Sequence, residues 1–463
     1  MTVYSRDSII PIKQKIPDHI LCMMDNRLEL FPVTAETNSR SHLVIGGCDC
    51  VNLLKKYGSP LYIFDEVTIR SRCQEFRQEF KSRYKNTFVA YASKAFINRE
   101  LGRILNEEGA GLDVVSGGEI SVAQSISFPP DNVFFHGNNK SGAELALALD
   151  WHLGRIVVDN FHELELLDNL ASKRQMVANI LLRLNPGIDP HTHRHTATGI
   201  LDSKFGFPVG TGQAEQAVKK ALIAKNIKLR GLHFHLGSPI TETEPYIQAL
   251  EVVLKFAAYM KIKYSFELAE LSPGGGFAVK YATSAVIPST ANYAEAIVDN
   301  LTLLVSKYKL REPKLIIEPG RSIIARAGVA LYTVGSIKDI PGIRTYVCVD
   351  GGMGDNIRPA LYDAKYEAIL ANKVTAPPGE KVTIAGRYCE SGDILIRDID
   401  MPAIASGDLI AIPVCGAYCI PMSSNYNMVP HPAIVIVKYG KARTMRKRQK
   451  YSDLLKLDVM SKA

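Results

Sequence analysis

The sequence predicts a closed (β/α)8 barrel joined to a β-rich second domain. Three observations predict it. Eight short apolar runs alternate with amphipathic helical segments between residues 87 and 320, the texture turns to strands alone after Arg321, and a strand-like stretch precedes the barrel. Alternating strand and helix calls for a parallel sheet with right-handed crossovers. Eight units in about 235 residues match the size of a closed barrel, and simple alternation favours closure over an open, doubly wound sheet.

The runs are TFVAYA (87–92), GLDVVS (111–116), VFFHG (133–137), RIVVDN (155–160), NILLRLN (179–185), LRGLHFHL (229–236), LAELSPGGG (268–276) and KLIIEPG (314–320). They are rich in β-branched and aromatic residues, with breaks of Gly, Asn, Ser or Pro between run and helix. Between them, INRELGRILNEEG (97–109), FHELELLDNLASKR (161–174) and EPYIQALEVVLKFAAYMKIKY (244–264) repeat apolar residues every three or four positions. A helix that packs one face on a sheet needs that spacing. After Arg321, SIIARAGVALYTV, RTYVCVD, KVTIAG, ILIRDID, DLIAIPV and AIVIVKY read as strands separated by Gly, Pro and Asp turns. HLVIGGCDCVNLLKKYGSPLYIFD (42–65) shares that strand character. The expected organisation is an N-terminal extension (1–41), a barrel (66–320), and a β-domain built from both chain ends (42–65 and 321–463).

Composition narrows the class. The 463 residues are 46% hydrophobic and 22% charged, with 34 Gly and 24 Pro, which excludes a disordered chain, a collagen-like repeat and a disulfide mini-scaffold. The net charge of +8 is concentrated in Lys438, Lys441, Arg443, Arg446, Lys447, Arg448 and Lys450, with no acid among them. So local a cluster reads as a solvated strand end; it lacks the groove-like spread of a nucleic-acid surface. No run approaches the length of a membrane span, and Lys13, Lys15, Asp18, Asp25 and Arg27 break up any secretory apolar region. Cys22, Cys48, Cys50, Cys73, Cys348, Cys389, Cys415 and Cys419 follow neither a secreted framework nor zinc-ribbon spacing, so free thiols in the cytosol are expected.

Reactive residues gather at the C-terminal ends of the runs, where a barrel of this kind carries its site. Lys94 follows the first run. Desolvation there would lower its pKa and make the amine nucleophilic towards a carbonyl. Gly274-Gly275-Gly276 and Glu318-Pro319-Gly320-Arg321 are glycine-rich breaks after the last two runs, suited to bringing backbone N–H groups close to a phosphate. A carboxylate beside a phosphate loop needs a cationic partner, and a protonated pyridine nitrogen provides one. Lysine for a Schiff base, a glycine-lined phosphate cup and a carboxylate for a pyridinium together describe a pyridoxal 5'-phosphate (PLP) site. Alternation puts His233 and His235 on one face, where one could stack on the cofactor ring while Ser238 donates to phosphate. Metal ligation by these histidines lacks a third ligand at useful spacing, so no metal is expected. His191, His193 and His195 fall in a polar loop (187–203) that reads as solvated or lid-like.

Several motifs carry a family resemblance over about residues 42–460. YASKA (91–95), GLDVVSGGE (111–119), HGNNK (136–140), TGxLDSKFGF (198–207), HFHLGS (233–238), GGGF (274–277), EPGRSI (318–323), VDGGMGDNIRPALYDA (349–364), CESGD (389–393) and GAYxxxMSSNYN (416–427) resemble the fold-type III PLP-dependent decarboxylases. Within them the match is to the branch that converts meso-2,6-diaminopimelate to L-lysine and CO2, the last step of lysine biosynthesis. The resemblance implies an alanine racemase-like PLP-binding barrel with a β-domain fed from both termini. It implies a Schiff base on Lys94, His235 stacked on the ring and Glu318 on the ring nitrogen. Ser238, Gly275, Gly276, Gly320, Arg321 and Tyr418 would hold the phosphate region, and Asp113 and Arg183 would support the cofactor. Arg321, Arg358, Tyr362, Glu390 and Tyr418 would contact substrate, and Cys389 would be the proton donor. Cys389 and Glu390 would come from the partner subunit, which implies a homodimer with shared sites.

Two arginines and an acid suit the zwitterionic far end of a diamino diacid, because Arg binds carboxylate bidentately. A decarboxylase acting on ornithine, lysine or arginine would leave those arginines unpaired. An alanine racemase lacks this motif set, and a catalytically dead regulatory subunit would not keep Lys94, Glu318 and Cys389. The chain departs from the common pattern at Phe96, Pro239, Ser272-Pro273 and Gly352, none of which removes a catalytic group.

Overall fold

The computed structural model describes residues 28–189 and 198–460. The histidines at 191, 193 and 195 therefore lie outside the described residues. Eight parallel strands run Thr87–Ala92, Gly111–Val114, Val133–Phe135, Arg155–Val158, Ala178–Asn185, Ile227–His233, Glu270–Gly274 and Lys314–Ile317. Each pairs with the next, and the eighth returns to the first, with Leu315, Ile316 and Ile317 opposite Thr87, Phe88 and Val89. All eight predicted runs are strands of this closed barrel. The sixth run stops being a strand at His233, so His235 and Ser238 sit on the connection beyond it.

Two apolar layers hold the barrel. Ala90, Phe134, Val157, Leu181 and Ile316 fill its interior, with Phe88 packed against them. The outward faces of the strands meet the helices in a second, larger core. Helix starts follow local chemistry. Ser141 and Glu144 form a reciprocal capping box before Gly142–Asp150, and Asn160 caps Phe161–Lys173 by accepting from the Glu163 N–H. The predicted helix over 244–264 spans Glu244–Tyr264.

The β-rich part is one nine-stranded sheet with a separate three-stranded sheet within residues 36–49. Leu61–Asp65 lies between two strands from the far end of the chain, antiparallel to Gly328–Ile340 and parallel to Ala433–Lys438. The sheet continues through Arg344–Val349, Glu380–Ala385 and Ile394–Met401 on one side and Lys441–Arg446 on the other. The strand-like reading of residues 42–65 needs one correction. Cys50–Tyr57 is a helix, because Asp49 accepts from the N–H groups of Val51 and Asn52 and caps it. Residues ahead of position 42 also pack. Leu28 and Phe31 are buried with Leu61, Ile63, Val329 and Val435, and Glu36–Thr37 pairs with Leu43–Ile45.

The basic cluster is not simply a solvated strand end. Glu66 opens the first barrel helix, Glu66–Arg83, and its carboxylate accepts from Lys438 Nζ at 2.9 Å, Arg443 Nη2 at 2.7 Å and Arg70 Nε at 2.9 Å. Arg448 donates to the carbonyls of Tyr57 and Pro60 at 3.2 and 2.6 Å. Part of the excess charge thus ties the last hairpin to the barrel. Burial alone would raise the Glu66 carboxyl, but Lys438 and Arg70 outweigh it and hold it below its ordinary value. Such a group adds stability above the unfolded carboxylate pKa of about 4.3 and loses it as the pH falls below that value. Glu66→Gln should therefore lower the urea midpoint at pH 7 and show less acid sensitivity below about pH 4.3 than the parent. Identical midpoints at pH 7 would show that these ion pairs contribute nothing.

Candidate active site

Each barrel strand places one polar side chain at the C-terminal mouth. In chain order they are Lys94, two residues past the first strand, then Asp113, His136, Asp159, Arg183, His233, Ser272 and Glu318. Register sets their level, with His233 opposite Arg183 on one side and Ser272 on the other, and Asp113 opposite Ala92. The mouth opens into a cavity of about 1020 Å³ lined by six of these eight, Lys94, Asp113, His136, Arg183, His233 and Glu318, together with His235 and Arg321.

Glu318 is only 5% exposed, yet it is well supplied with donors. Ser272 Oγ donates to Oε1 at 2.7 Å, and His233 Nε2 lies 3.1 Å from Oε2. His136 Nε2 is 3.5 Å from Oε1 and 3.7 Å from Asp113 Oδ1, and its ring meets the His233 ring edge to face at 4.8 Å. Burial pushes the Glu318 carboxyl up, but the two histidines and Ser272 outweigh it, so the group stays ionised well below the carboxylate range. Burial lowers the proton affinity of His136 and His233 below that of an ordinary imidazole, against the pull of the Glu318 charge. A carboxylate only accepts, so His233 carries its proton on Nε2. Local spacing had shown no third partner for the histidines. Among the described residues, His136, His233 and Glu318 bring their ligand atoms within 4.8 Å of one another from three different strand ends, and His235 stands outside that group.

Lys94 also differs from its expected state. Burial does lower its affinity for a proton, but the charges of Asp113, Tyr418 and Glu318 prevail and the pKa is raised. Asp113 itself is pushed up by burial, with Lys94 pulling it back. Lys94 and Asp113 thus each favour the charged form of the other, against the burial of both.

The residues fit a pyridoxal group. Asp113 Oδ1 and His136 Nε2 are buried and have no hydrogen-bond partner among the described residues, beside a carboxylate kept ionised. A narrow recess leads off from Lys94 to Ser238, Gly275, Gly276 and Gly320. A Cβ on Gly275 would lie 2.0 Å from the Glu318 carbonyl oxygen, and Gly276 has a φ of +106°, so neither position admits a side chain. The Gly275 N–H donates to His235 Nδ1 at 3.2 Å, which fixes the imidazole beside the recess.

The outer part of the cavity is basic and aromatic. Arg321 donates through Nη1 to Tyr281 Oη at 2.6 Å and lies 4.7 Å from the Tyr418 ring centre, while Arg358 donates to Tyr366 Oη. Tyr418 is held at a positive φ of 60°, and its N–H donates to the Ala95 carbonyl at 2.8 Å, which locks this loop onto the lysine turn. Tyr362 also lines the cavity. Cys389 and Glu390 do not, being exposed on their own chain, where the Cys389 N–H donates to Asn427 Oδ1 at 2.9 Å.

Sequence reasoning missed Ser272 as a donor to Glu318, His136 as its neighbour, and Tyr281 and Tyr366 as partners of the arginines. Strand alternation from Gly274 could have found Ser272. Two departures from the common motif pattern have local reasons. Phe96 stacks on Phe64 with ring centres 4.8 Å apart, and a Cβ on Gly352 would lie 2.4 Å from Asp393 Oδ1.

A barrel mouth with a half-buried lysine, an ionised carboxylate and a glycine recess defines a pyridoxal enzyme of the barrel-plus-β-domain class. Residues 66–325 match the family model described as pyridoxal-dependent decarboxylase, pyridoxal binding domain. A diaminopimelate decarboxylase of Bacillus subtilis (strain 168) is 46% identical over 426 residues, covering 92% of this chain and 97% of the relative. The structure of diaminopimelate decarboxylase from M. jannaschii in co-complex with L-lysine superposes with a TM-score of 0.87 at 34% identity, covering 93% and 98% of the two chains. That from Helicobacter pylori, complexed with L-lysine, gives 0.80 at 30% identity, covering 88% and 98%. The chain belongs to the diaminopimelate decarboxylase family of PLP-dependent enzymes.

His233→Leu and Ser272→Ala each remove one donor from Glu318, at a cost of about 1.5–3 kcal/mol for a bond to a charged group. Each should weaken PLP binding to the cofactor-free protein by about tenfold or more in equilibrium dialysis. Unchanged affinity in both would show that these donors do not prepare the carboxylate.

Proposed function

We propose that the chain decarboxylates meso-2,6-diaminopimelate to L-lysine and CO2, with PLP held on Lys94. The observation that carries this reading is a pair of arginines, Arg321 and Arg358, 7% and 6% exposed beside the Lys94 cavity. Neither has a carboxylate within ion-pair distance among the described residues. A buried guanidinium without an anion is costly, and a substrate with a second carboxylate removes that cost.

Bound PLP supplies the electron sink for the pair left behind when CO2 departs. Glu318 would hold a proton at the ring nitrogen, His235 would face the ring, and Asp113 and Arg183 would support it. The backbone at Gly275, Gly276 and Gly320, with Ser238, Arg321 and Tyr418, would cradle the phosphate in the recess they line. Arg321, Arg358, Tyr362, Tyr418 and Glu390 hold the substrate's polar groups. The Cys389 thiol delivers a proton to the α-carbon, a task suited to a positioned acid. Cys389 and Glu390 come from a second copy of the chain in a homodimer, since their own chain exposes them outside its cavity. The barrel over 66–320 carries the cofactor, and the β-domain over 42–65 and 321–463 completes the site. No helix among the described residues is long and apolar enough to cross a membrane. A cytosolic setting is supported by the seven free thiols described.

CO2 release from a panel of amino acids tests the reaction. Turnover should be fastest on meso-diaminopimelate and lost in Lys94→Ala, whereas faster release from lysine or ornithine would refute the assignment. Mixing inactive Lys94→Ala and Cys389→Ala proteins should restore part of the activity, because one site of each mixed dimer is intact. If mixed dimers form without recovering activity, the site is not shared.

A further inference from the structure

Both substrate-facing arginines converge on one side chain that neither motif spacing nor residue type singles out. Tyr281 lies on the connection after the seventh strand, seven residues beyond Gly274. Its hydroxyl accepts from Arg321 Nη1 at 2.6 Å, and its ring lies under the Arg358 guanidinium, 4.5 Å from ring centre to Cζ. The ring of Tyr366 meets it at right angles, 5.4 Å away, and the Tyr366 hydroxyl accepts from Arg358. The connection is pinned on both sides, by Thr283 donating to Glu367 Oε1 through N–H and Oγ at 2.7 and 3.0 Å, and by Lys280 to Glu29 at 2.8 Å. Tyr281 is thus a fixed spacer rather than a mobile loop residue.

Two guanidinium groups in one cavity repel each other and, free of anions, would turn towards solvent. The tyrosine counters this in two ways. Its oxygen occupies one Nη of Arg321, leaving Nε and Nη2 near Ser238 Oγ at 3.4 Å. Its π face meets Arg358 in a cation–π contact, and with Nη1 donating to Tyr366 the remaining N–H groups of Arg358 can turn to a carboxylate. We infer that Tyr281 is the specificity-determining positioning residue of this site, setting the two arginines to receive a substrate's distal carboxylate. The inference rests on the proposed reaction and adds to it the side chain that makes the carboxylate necessary.

Decarboxylation at one end of the substrate leaves L-lysine, whose remaining carboxylate is at the end far from the reacting amine. Cadaverine has the same two amines and no carboxylate, so the two ligands isolate carboxylate recognition. Their dissociation constants are read from the change in cofactor absorbance of the holoenzyme. Tyr281→Phe keeps the ring and loses the hydroxyl, so L-lysine should bind about tenfold more weakly while cadaverine stays within about twofold. Tyr281→Leu loses both contacts and should cost L-lysine about a hundredfold, again sparing cadaverine. A parallel loss for both ligands would mean a merely structural role, and unaltered L-lysine binding in both variants would also overturn the inference. Failure of the proposed reaction is distinguishable, because the unsubstituted protein would then bind L-lysine no better than cadaverine.

Discussion

Keeping a carboxylate ionised out of water is the constraint around which the barrel mouth is arranged. Glu318 follows the eighth strand directly, and its neighbours arrive from strands three, six and seven. An isolated buried carboxylate would take up a proton, since desolvation disfavours the charged form. Ser272 and His233 supply donors at 2.7 and 3.1 Å, and His136 stands close behind. Burial disfavours a second proton on either imidazole, which leaves the Glu318 charge available to a cation. A closed barrel is well suited to this task, since only closure brings the eighth strand beside the first, and so Glu318 into the ring that contains Lys94.

The rest of the site follows from the same geometry. Opposite charges are paired around the mouth, Lys94 with Asp113 and Asp159 with Arg183, whose Nη1 is 3.8 Å from Asp159 Oδ1. The outer cavity is different in kind, because its cations are faced with tyrosines instead of acids. Arg321 and Arg358 meet Tyr281, Tyr366 and Tyr418, which give aromatic faces and hydroxyl oxygens without neutralising charge. The inner site therefore offers a negative charge and the outer site positive ones, the polarity that a ring cation and a substrate carboxylate require.

The architecture was legible because its signals are periodic. Eight apolar runs and the helices between them follow from two spacings, and the hand of the crossovers does the rest. Lys94, Glu318 and the glycine breaks were visible because chemistry of that kind gathers at strand ends. What stayed hidden depends on contacts between distant segments. His136 and Glu318 are 182 positions apart in the chain, and nothing local ties them together. Tyr281 and Tyr366 look like ordinary loop aromatics until Arg321 and Arg358 are placed beside them. The Lys94 pKa was read in the wrong direction, because burial was visible from the strand and the opposing Asp113 charge was not. The basic cluster likewise looked free until the fold set Glu66 against it.

The central claim is that Glu318 stays ionised and holds a proton on the cofactor's ring nitrogen. Reconstituting the protein with PLP carrying ¹⁵N in the ring and recording its nitrogen resonance tests this directly. The account predicts a pyridinium resonance that persists across neutral and mildly alkaline pH, and a move towards unprotonated pyridine in Glu318→Gln. An unprotonated ring nitrogen at neutral pH in the unsubstituted protein would contradict it.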